Sequence, residues 1–213
     1  MKVIAVNGSP RKKWNTATLL DHALEGARSV GAETELVHLY DLDFKGCQSC
    51  FGCKKLDGPS YGHCAVKDGL RPLLEAVPSA GALILGSPIY CMQATGEMRS
   101  FYERLVFPYL EYADPPRSLF PGKLKVGLIY DMGLPEAMAQ KIGLEGALAL
   151  STGITSVIFG QPEVLFSYDT MQFDDYSKYA AARFDPVKKK QRHDEVFPED
   201  CKKAFAMGAR LAQ

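Results

Sequence analysis

The chain has 213 residues, 46% of them hydrophobic, with 25 basic and 25 acidic side chains and a formal net charge of zero. That length suits one α/β domain with its own core. The charge balance removes any global field favouring nucleic acid or an anionic membrane, and no apolar run approaches a membrane span.

The first residues lead straight into an apolar run with no signal-peptide pattern, so a cytoplasmic protein is expected. Val3-Ile4-Ala5-Val6 suits a buried parallel strand. The chain then breaks into Asn7-Gly8-Ser9-Pro10-Arg11, and an amphipathic helix begins near Asn15-Thr16. A strand, a tight polar loop and a helix N-terminus together make an anion site, because the first helical N–H groups point outward without partners. Ser9, Asn15 and Thr16 add donors and Arg11 a full charge, so a phosphate monoester is the natural guest. The other reading is an ordinary turn with Asn15 as N-cap. Neither Gly-x-Gly-x-x-Gly nor a Walker pattern is present.

Thr16–Val30 places Ala17, Leu19, Leu20, Ala23, Leu24 and Ala27 on one helical face, with Gly31 as a stop. Glu33–Leu39 reads as an outer strand with His38 on its surface. Residues 40–67 form a long, irregular, cysteine-rich loop, and loops of that size are functional or disordered. Gly69–Val77 suits a short helix with Pro72 in its first turn. Ala80–Leu85 reads as a central strand ending in a second polar elbow, Gly86-Ser87-Pro88-Ile89-Tyr90, where Gly86 would let a flat ligand approach and Pro88 would fix the turn. A helix follows from about Thr95 to Phe107. Tyr109–Gly122 reads as a proline-rich loop and Leu124–Tyr130 as a fourth strand, ending at Asp131-Met132-Gly133. Glu136–Leu150 suits a helix, and the β-branched run Thr155–Phe159 a fifth strand. From about residue 160 an aromatic, acidic extension begins, with Lys188–Lys190 and Arg192 as a solvated face. Phe197–Leu211 reads as a closing helix with Pro198 near its start. Such a tail often packs on a second subunit, so a homodimer or homotetramer is expected.

Six cysteines are present, four of them clustered, which in a reducing compartment points to metal or redox chemistry. Cys47, Cys50 and Cys53 form a C-x2-C-x2-C array, and Cys64 lies beyond a ten-residue spacer. Three thiolates at this spacing can hold three irons of a [4Fe–4S] cube, with Cys64 as fourth ligand. Zinc more often pairs two separated knuckles, and free or redox-active thiols are the remaining reading. Cys91 and Cys201 lack companions and read as buried structural residues.

The segment Gly8-Ser9-Pro10-Arg11 with Asn15-Thr16-Ala17 resembles the phosphate loop of the flavodoxin-like NAD(P)H-dependent FMN reductases, including the WrbA-like and iron–sulfur flavoprotein branches. It departs at Trp14, where that family commonly has glycine. The run GSPIYCMQATGEMRSFYERL, Gly86 to Leu105, resembles the family's second FMN loop. The resemblance implies a doubly wound five-stranded parallel sheet of order 2-1-3-4-5. In such a sheet the loops after the first and third strands flank the switch point where ligands bind. It implies cofactor contacts from Ser9, Arg11, Asn15, Thr16, Ala17, Ser87, Pro88, Ile89, Tyr90, Cys91 and Met92. By the same geometry Tyr130, Asp131 and Gly133 would form a third wall.

The function so implied is an oxidoreductase passing electrons from NAD(P)H through FMN to a quinone, free flavin or other small acceptor. Hydride transfer demands no protein acid or base, so no catalytic residue is expected. The alternative is an iron–sulfur flavoprotein carrying FMN and a [4Fe–4S] cluster and accepting electrons from ferredoxin. A flavin-free binding module is a third reading that fold alone would not exclude. The same branch carries a compact four-cysteine motif between the second strand and second helix, with a shorter last spacer than here.

Overall fold

Alternating side chains along five parallel strands fill two separate cores. The computed structural model describes residues 1–213, the side chains of residues 149 and 150 apart. The strands are β1 (Lys2–Asn7), β2 (Glu33–His38), β3 (Ala82–Tyr90), with the short β4 (Gln93–Ala94) folded back on it, β7 (Lys125–Asp131) and β8 (Glu163–Ser167). Between β4 and β7, β5 (Leu110–Glu111) and β6 (Arg117–Ser118) form a separate hairpin where the proline-rich stretch was expected to be a plain loop. The main sheet runs β2-β1-β3-β7-β8 in order, all parallel along that path. This is the 2-1-3-4-5 order that the family resemblance implies, with a different segment as its fifth strand, and the fold is a flavodoxin-like α/β fold.

The helices are α1 (Asn15–Ser29), α2 (Arg71–Ala76), α3 (Gly96–Val106), α4 (Glu136–Lys141), α5 (Leu144–Phe159), α6 (Pro186–Glu195) and α7 (Phe197–Leu211). Ile4, Val6, Leu83, Leu85, Val126 and Leu128 face α2, α3 and α5. Val3, Ala5, Ala82, Ile84, Ile129 and Leu165 face α1 and α7. Each fully buried aliphatic side chain contributes about 1.5–3 kcal/mol. No helix among the described residues is long and apolar enough to cross a membrane.

Three sequence expectations are corrected. Thr155–Phe159 is not the fifth strand but the last turns of α5, which ends at Gly160. Thr155 and Ser156 tie their hydroxyls to the carbonyls of Ser151 and Thr152 and so stay in the helix despite β-branching nearby. The fifth strand is β8, inside the stretch read as extension. The predicted helix Glu136–Leu150 is broken at Ile142–Gly143, where Gly143 has φ of 68°. Finally, the polar elbow at Gly86–Tyr90 is straight strand. The turn comes later, at Cys91 and Met92, whose φ angles of 48° and 70° match a two-residue primed hairpin turn. Pro88 therefore lies in the strand, and Gly86 makes room for Leu20, whose side chain would sit 2.7 Å from an added Cβ.

The C-terminal helix does not need a second subunit to bury its apolar face. It crosses α1 with backbone against backbone. A Cβ on Gly208 would lie 1.7 Å from the Ala23 carbonyl oxygen, and one on Gly26 would lie 1.9 Å from that of Phe205. Gly208→Ala is therefore expected to force the helices apart at a cost of about 3 kcal/mol, lowering Tm by about 6–12 °C for a chain of this size. Gly146→Ala, on α5 with open space around it, serves as control and should stabilise by about 0.5–1 kcal/mol. Thermal melts of the two variants check both.

Candidate functional site

The loops after β1, β3 and β7 meet at the carboxyl edge of the sheet, and backbone bonds lock them together. Gly8 N–H donates to Gly86 O at 2.8 Å. Thr95 caps α3 by accepting from Met98 N–H at 3.3 Å, while its hydroxyl donates to Gly8 O at 2.7 Å and its own N–H donates to Ser87 Oγ at 3.0 Å. Asn7 Oδ1 accepts from Ser9 N–H at 2.9 Å, and its amide nitrogen lies 3.0 Å from His38 Nδ1. His38 thus orients the first loop rather than facing solvent alone.

One cleft at this edge is lined by Ser9, Arg11, Trp14, Asn15, Thr16, Pro88, Ile89, Tyr90, Asp131, Met132, Gly133 and Thr170–Gln172. The helix ladder of α1 starts with Thr18 N–H on Trp14 O at 2.9 Å. The N–H groups of Asn15, Thr16 and Ala17 are thus the unpaired first-turn donors that an anion needs. Trp14 holds the N-cap position in extended conformation with no side-chain cap, so Asn15 is the first helical residue and not the cap. The side chains of Arg11, Trp14 and Asn15 turn to the segment after β8. Arg11 Nη1 donates to Gln172 O at 2.5 Å, and Trp14 Nε1 and Asn15 Nδ2 donate to Met171 O at 3.0 and 2.9 Å. The Arg11 guanidinium also stacks over the Trp14 ring at 5.3 Å.

Asp131 is 4% exposed and accepts from Thr16 Oγ1 at 2.5 Å. Burial pushes its carboxyl up to about 6, with hydrogen bonds from Thr16 and Asn15 and the Arg11 charge pulling part of the way back. Near neutral pH this group holds its proton more readily than a surface aspartate, which reduces its repulsion toward a phosphate at the same helix start.

Five predicted contacts lie outside this cleft. Ala17 is buried at 1% exposure, so only its backbone N–H can serve an anion at the helix start. Ser87 and Tyr130 alternate to the opposite face of the sheet, as strand geometry requires. There they line a largely apolar cavity of about 470 Å³ between α3 and α5, which also takes in Gln93, Ala94 and Cys47. Cys91 and Met92 sit exposed on the hairpin turn, so Cys91 is not the buried residue that the sequence suggests. Cys201 is buried.

Sequence reasoning missed the 169–172 turn and Lys189. Lys189 is 3% exposed. Its ammonium donates to Gly133 O at 2.7 Å and to Thr170 O at 3.4 Å, and pairs with Asp169. It fastens the third loop to that turn and is no solvated residue. Arg192 likewise pairs with the buried Asp200. The Asp185-Pro186 helix start is readable in the sequence, but it does not say which face of α6 turns inward.

The four clustered cysteines converge. Left-handed backbone at Ser49 (φ 52°) and Phe51 (φ 53°) curls the C-x2-C-x2-C array. The spacer folds back through Gly62, whose N–H donates to Cys53 O at 3.0 Å. Cys47, Cys50, Cys53 and Cys64 then line one small cavity beneath Glu103, Arg104 and Phe107 of α3 and its end. Lys54 anchors the loop by donating to Phe107 O at 2.5 Å, Pro108 O at 3.2 Å and Leu110 O. Among the described residues no three ligating groups sit close enough to share a single ion. A cubane, which spreads four thiolates over four irons, fits this donor set better than mononuclear zinc does.

An open parallel sheet with an anion-binding helix start and two further loops at its switch point defines the flavodoxin-like class of nucleotide-binding proteins. The model of the NADPH-dependent FMN reductase family matches residues 1–160, and the chain belongs to that family. An iron–sulfur flavoprotein of Archaeoglobus fulgidus is 36% identical over 104 residues, 49% of this chain and 48% of that protein. One from Methanosarcina thermophila is 27% identical over 133 residues, 62% and 63% of the two chains. The chain spans about half the length of the first curated relatives it matches. The solved structure of an NAD(P)H:quinone oxidoreductase from Methanothermobacter marburgensis superposes with a TM-score of 0.73 at 15% identity, covering 100% and 98% of the chains. These structural likenesses establish the fold.

The elevated Asp131 carboxyl makes stability pH-dependent. Between about pH 4 and 6 the native state keeps this proton while the unfolded chain releases it. The contribution is therefore full below the unfolded value near 3.8 and is lost as pH rises through about 6. Relative to Asp131→Asn, the wild type is expected to lose on the order of 3 kcal/mol across that window, read from urea midpoints at pH 4, 5, 6 and 7.

Proposed function

We propose that the chain is a cytoplasmic FMN-dependent oxidoreductase that passes electrons from NAD(P)H to a quinone, free flavin or other small acceptor. The observation that carries this reading is the convergence of three loops on the open N-terminus of α1. The donor set there fits a phosphate monoester: three backbone N–H groups and the Ser9 hydroxyl, with the Arg11 charge alongside, while the Thr16 hydroxyl is engaged by Asp131. Bound FMN supplies reversible one- and two-electron chemistry that side chains lack. The chain's part is positional. Ser9 and the first-turn N–H groups of α1, that of Thr16 among them, hold the phosphate, and the 169–172 turn keeps Arg11, Trp14 and Asn15 in place. Pro88, Ile89 and Tyr90 form one wall for the flat ring system, and Asp131 to Gly133 the other. The 470 Å³ cavity beside Ser87 and Cys47 lies in the size range of small-molecule sites and offers an apolar acceptor room.

A second reading, favoured by the convergent cysteines, adds a [4Fe–4S] cluster held by Cys47, Cys50, Cys53 and Cys64, with ferredoxin as donor. Several curated relatives are iron–sulfur flavoproteins. Absorbance of protein purified without oxygen, with iron and sulfide assays, tests both. Flavin bands are expected in either case, with about four irons per chain only for the second. A colourless chain that takes up no added FMN overturns both. FMN should bind at least about 100-fold more tightly than riboflavin, since charge-assisted hydrogen bonds contribute about 1.5–3 kcal/mol each; equal affinities would remove the phosphate site.

A homodimer or homotetramer belongs to this proposal. Met138, Ile142, Ile154 and Val157 leave apolar surface exposed along α4 and α5. Light scattering should give at least twice the 23.4 kDa chain mass, and a monomer would remove the claim.

A further inference from the structure

Arg104 is the largest side chain fully withdrawn from solvent, at 2% exposure. It rises from α3 beneath the cysteine loop, and every one of its donors is engaged. Nε donates to Cys64 Sγ at 3.3 Å. Nη1 donates to Lys45 O at 2.9 Å and to Asp68 Oδ2 at 2.5 Å. Nη2 donates to Asp68 Oδ1 at 3.0 Å and to Val66 O at 3.4 Å. A single guanidinium thus joins the residue just before the cysteine array to the segment after the long spacer.

A buried charge must be paired and hydrogen-bonded to be tolerated. The bidentate contact with Asp68 meets that need, and the two carbonyls complete an ordinary loop anchor. The bond to sulfur is additional. It falls on Cys64, the cysteine that the ten-residue spacer leaves least constrained by the chain itself. The other three are set by the curled array and by Lys54.

We propose that Arg104 is a positioning residue for the fourth cluster ligand. Its guanidinium closes the spacer by holding Cys64 opposite Cys47, Cys50 and Cys53, and it donates a hydrogen bond to the ligating sulfur. The inference rests on the cluster reading above. Hydrogen bonds to ligand sulfurs favour the more negative, reduced cluster and so raise its potential.

The test uses the full FMN-loaded chain, reconstituted without oxygen with ferrous iron and sulfide, as wild type, Arg104→Gln, Arg104→Lys and Asp68→Asn. Four quantities are measured: iron and sulfide content, cluster midpoint potential, rate of iron loss to a chelator, and FMN content as a check on the fold. Arg104→Gln should keep FMN and accept a cluster, but at a more negative potential and with iron lost at least about tenfold faster, the usual scale for an outer partner of a metal ligand. Arg104→Lys, which can still donate to sulfur, should recover part of the potential. Asp68→Asn retains the sulfur bond, so it should keep the wild-type potential while losing iron faster. A wild type that takes up no iron overturns the cluster reading and this proposal with it. A wild-type cluster with an unchanged Arg104→Gln cluster overturns this proposal alone. Should Arg104→Gln lose FMN as well, unchanged potential and iron retention in both remaining variants overturns it.

Discussion

Thr95 holds the carboxyl edge of the sheet together. Its hydroxyl reaches the first loop at Gly8, its amide reaches the second strand-end at Ser87, and its oxygen starts α3. One small side chain therefore fixes the spacing between two ligand loops and the direction of the helix that carries Met98, Tyr102 and Arg104. The candidate cofactor cleft, the apolar cavity behind it and the cysteine cavity all share walls from that helix or from the loops that it caps. Geometry at the cofactor cleft is thus tied to geometry at the cysteine cavity through a rigid element rather than a flexible linker.

Most of the fold was legible because parallel strands and amphipathic helices write strong periodic patterns. Val3–Val6, the α1 face and α7 stand in the sequence as they stand in space. The fifth strand was not legible. Thr155, Val157 and Ile158 have strand-like chemistry, but they continue a helix that began at Leu144 and is apolar on most sides. Propensity over five residues loses to the cooperativity of a sixteen-residue helix. The strand that pairs with β7, Glu163–Ser167, looks unremarkable because one of its faces is only partly covered.

At the site, residue type was easier to read than residue direction. Ser9, Arg11, Asn15, Thr16, Asp131 and Gly133 gather as loop logic suggests. Ser87 and Tyr130 lie on strand positions, where a one-residue step reverses the side chain, and that parity depends on where the strand ends. The strand ran on to Tyr90 rather than stopping at Leu85. Lys189, Arg192 and Arg104 were illegible for another reason. A charge buried beside one carboxylate looks in sequence like any surface charge, and its partners, Asp169, Asp200 and Asp68, lie 20, 8 and 36 residues away.

The crossing of α1 and α7 has a consequence for how the molecule is made. These helices touch through bare backbone at Gly26 and Gly208, positions at nearly opposite ends of the chain. The helix whose first turn offers the anion donors is thus braced by a helix about 180 residues further along. Closing a loop of that length is entropically slow. Until it closes, α1 lacks its neighbour, and the apolar face it shares with α7 stays open to water. A folding chain therefore passes through a stage in which the sheet can be formed while the start of α1 still lacks its brace, so the order of the first loop depends on a contact made across most of the fold.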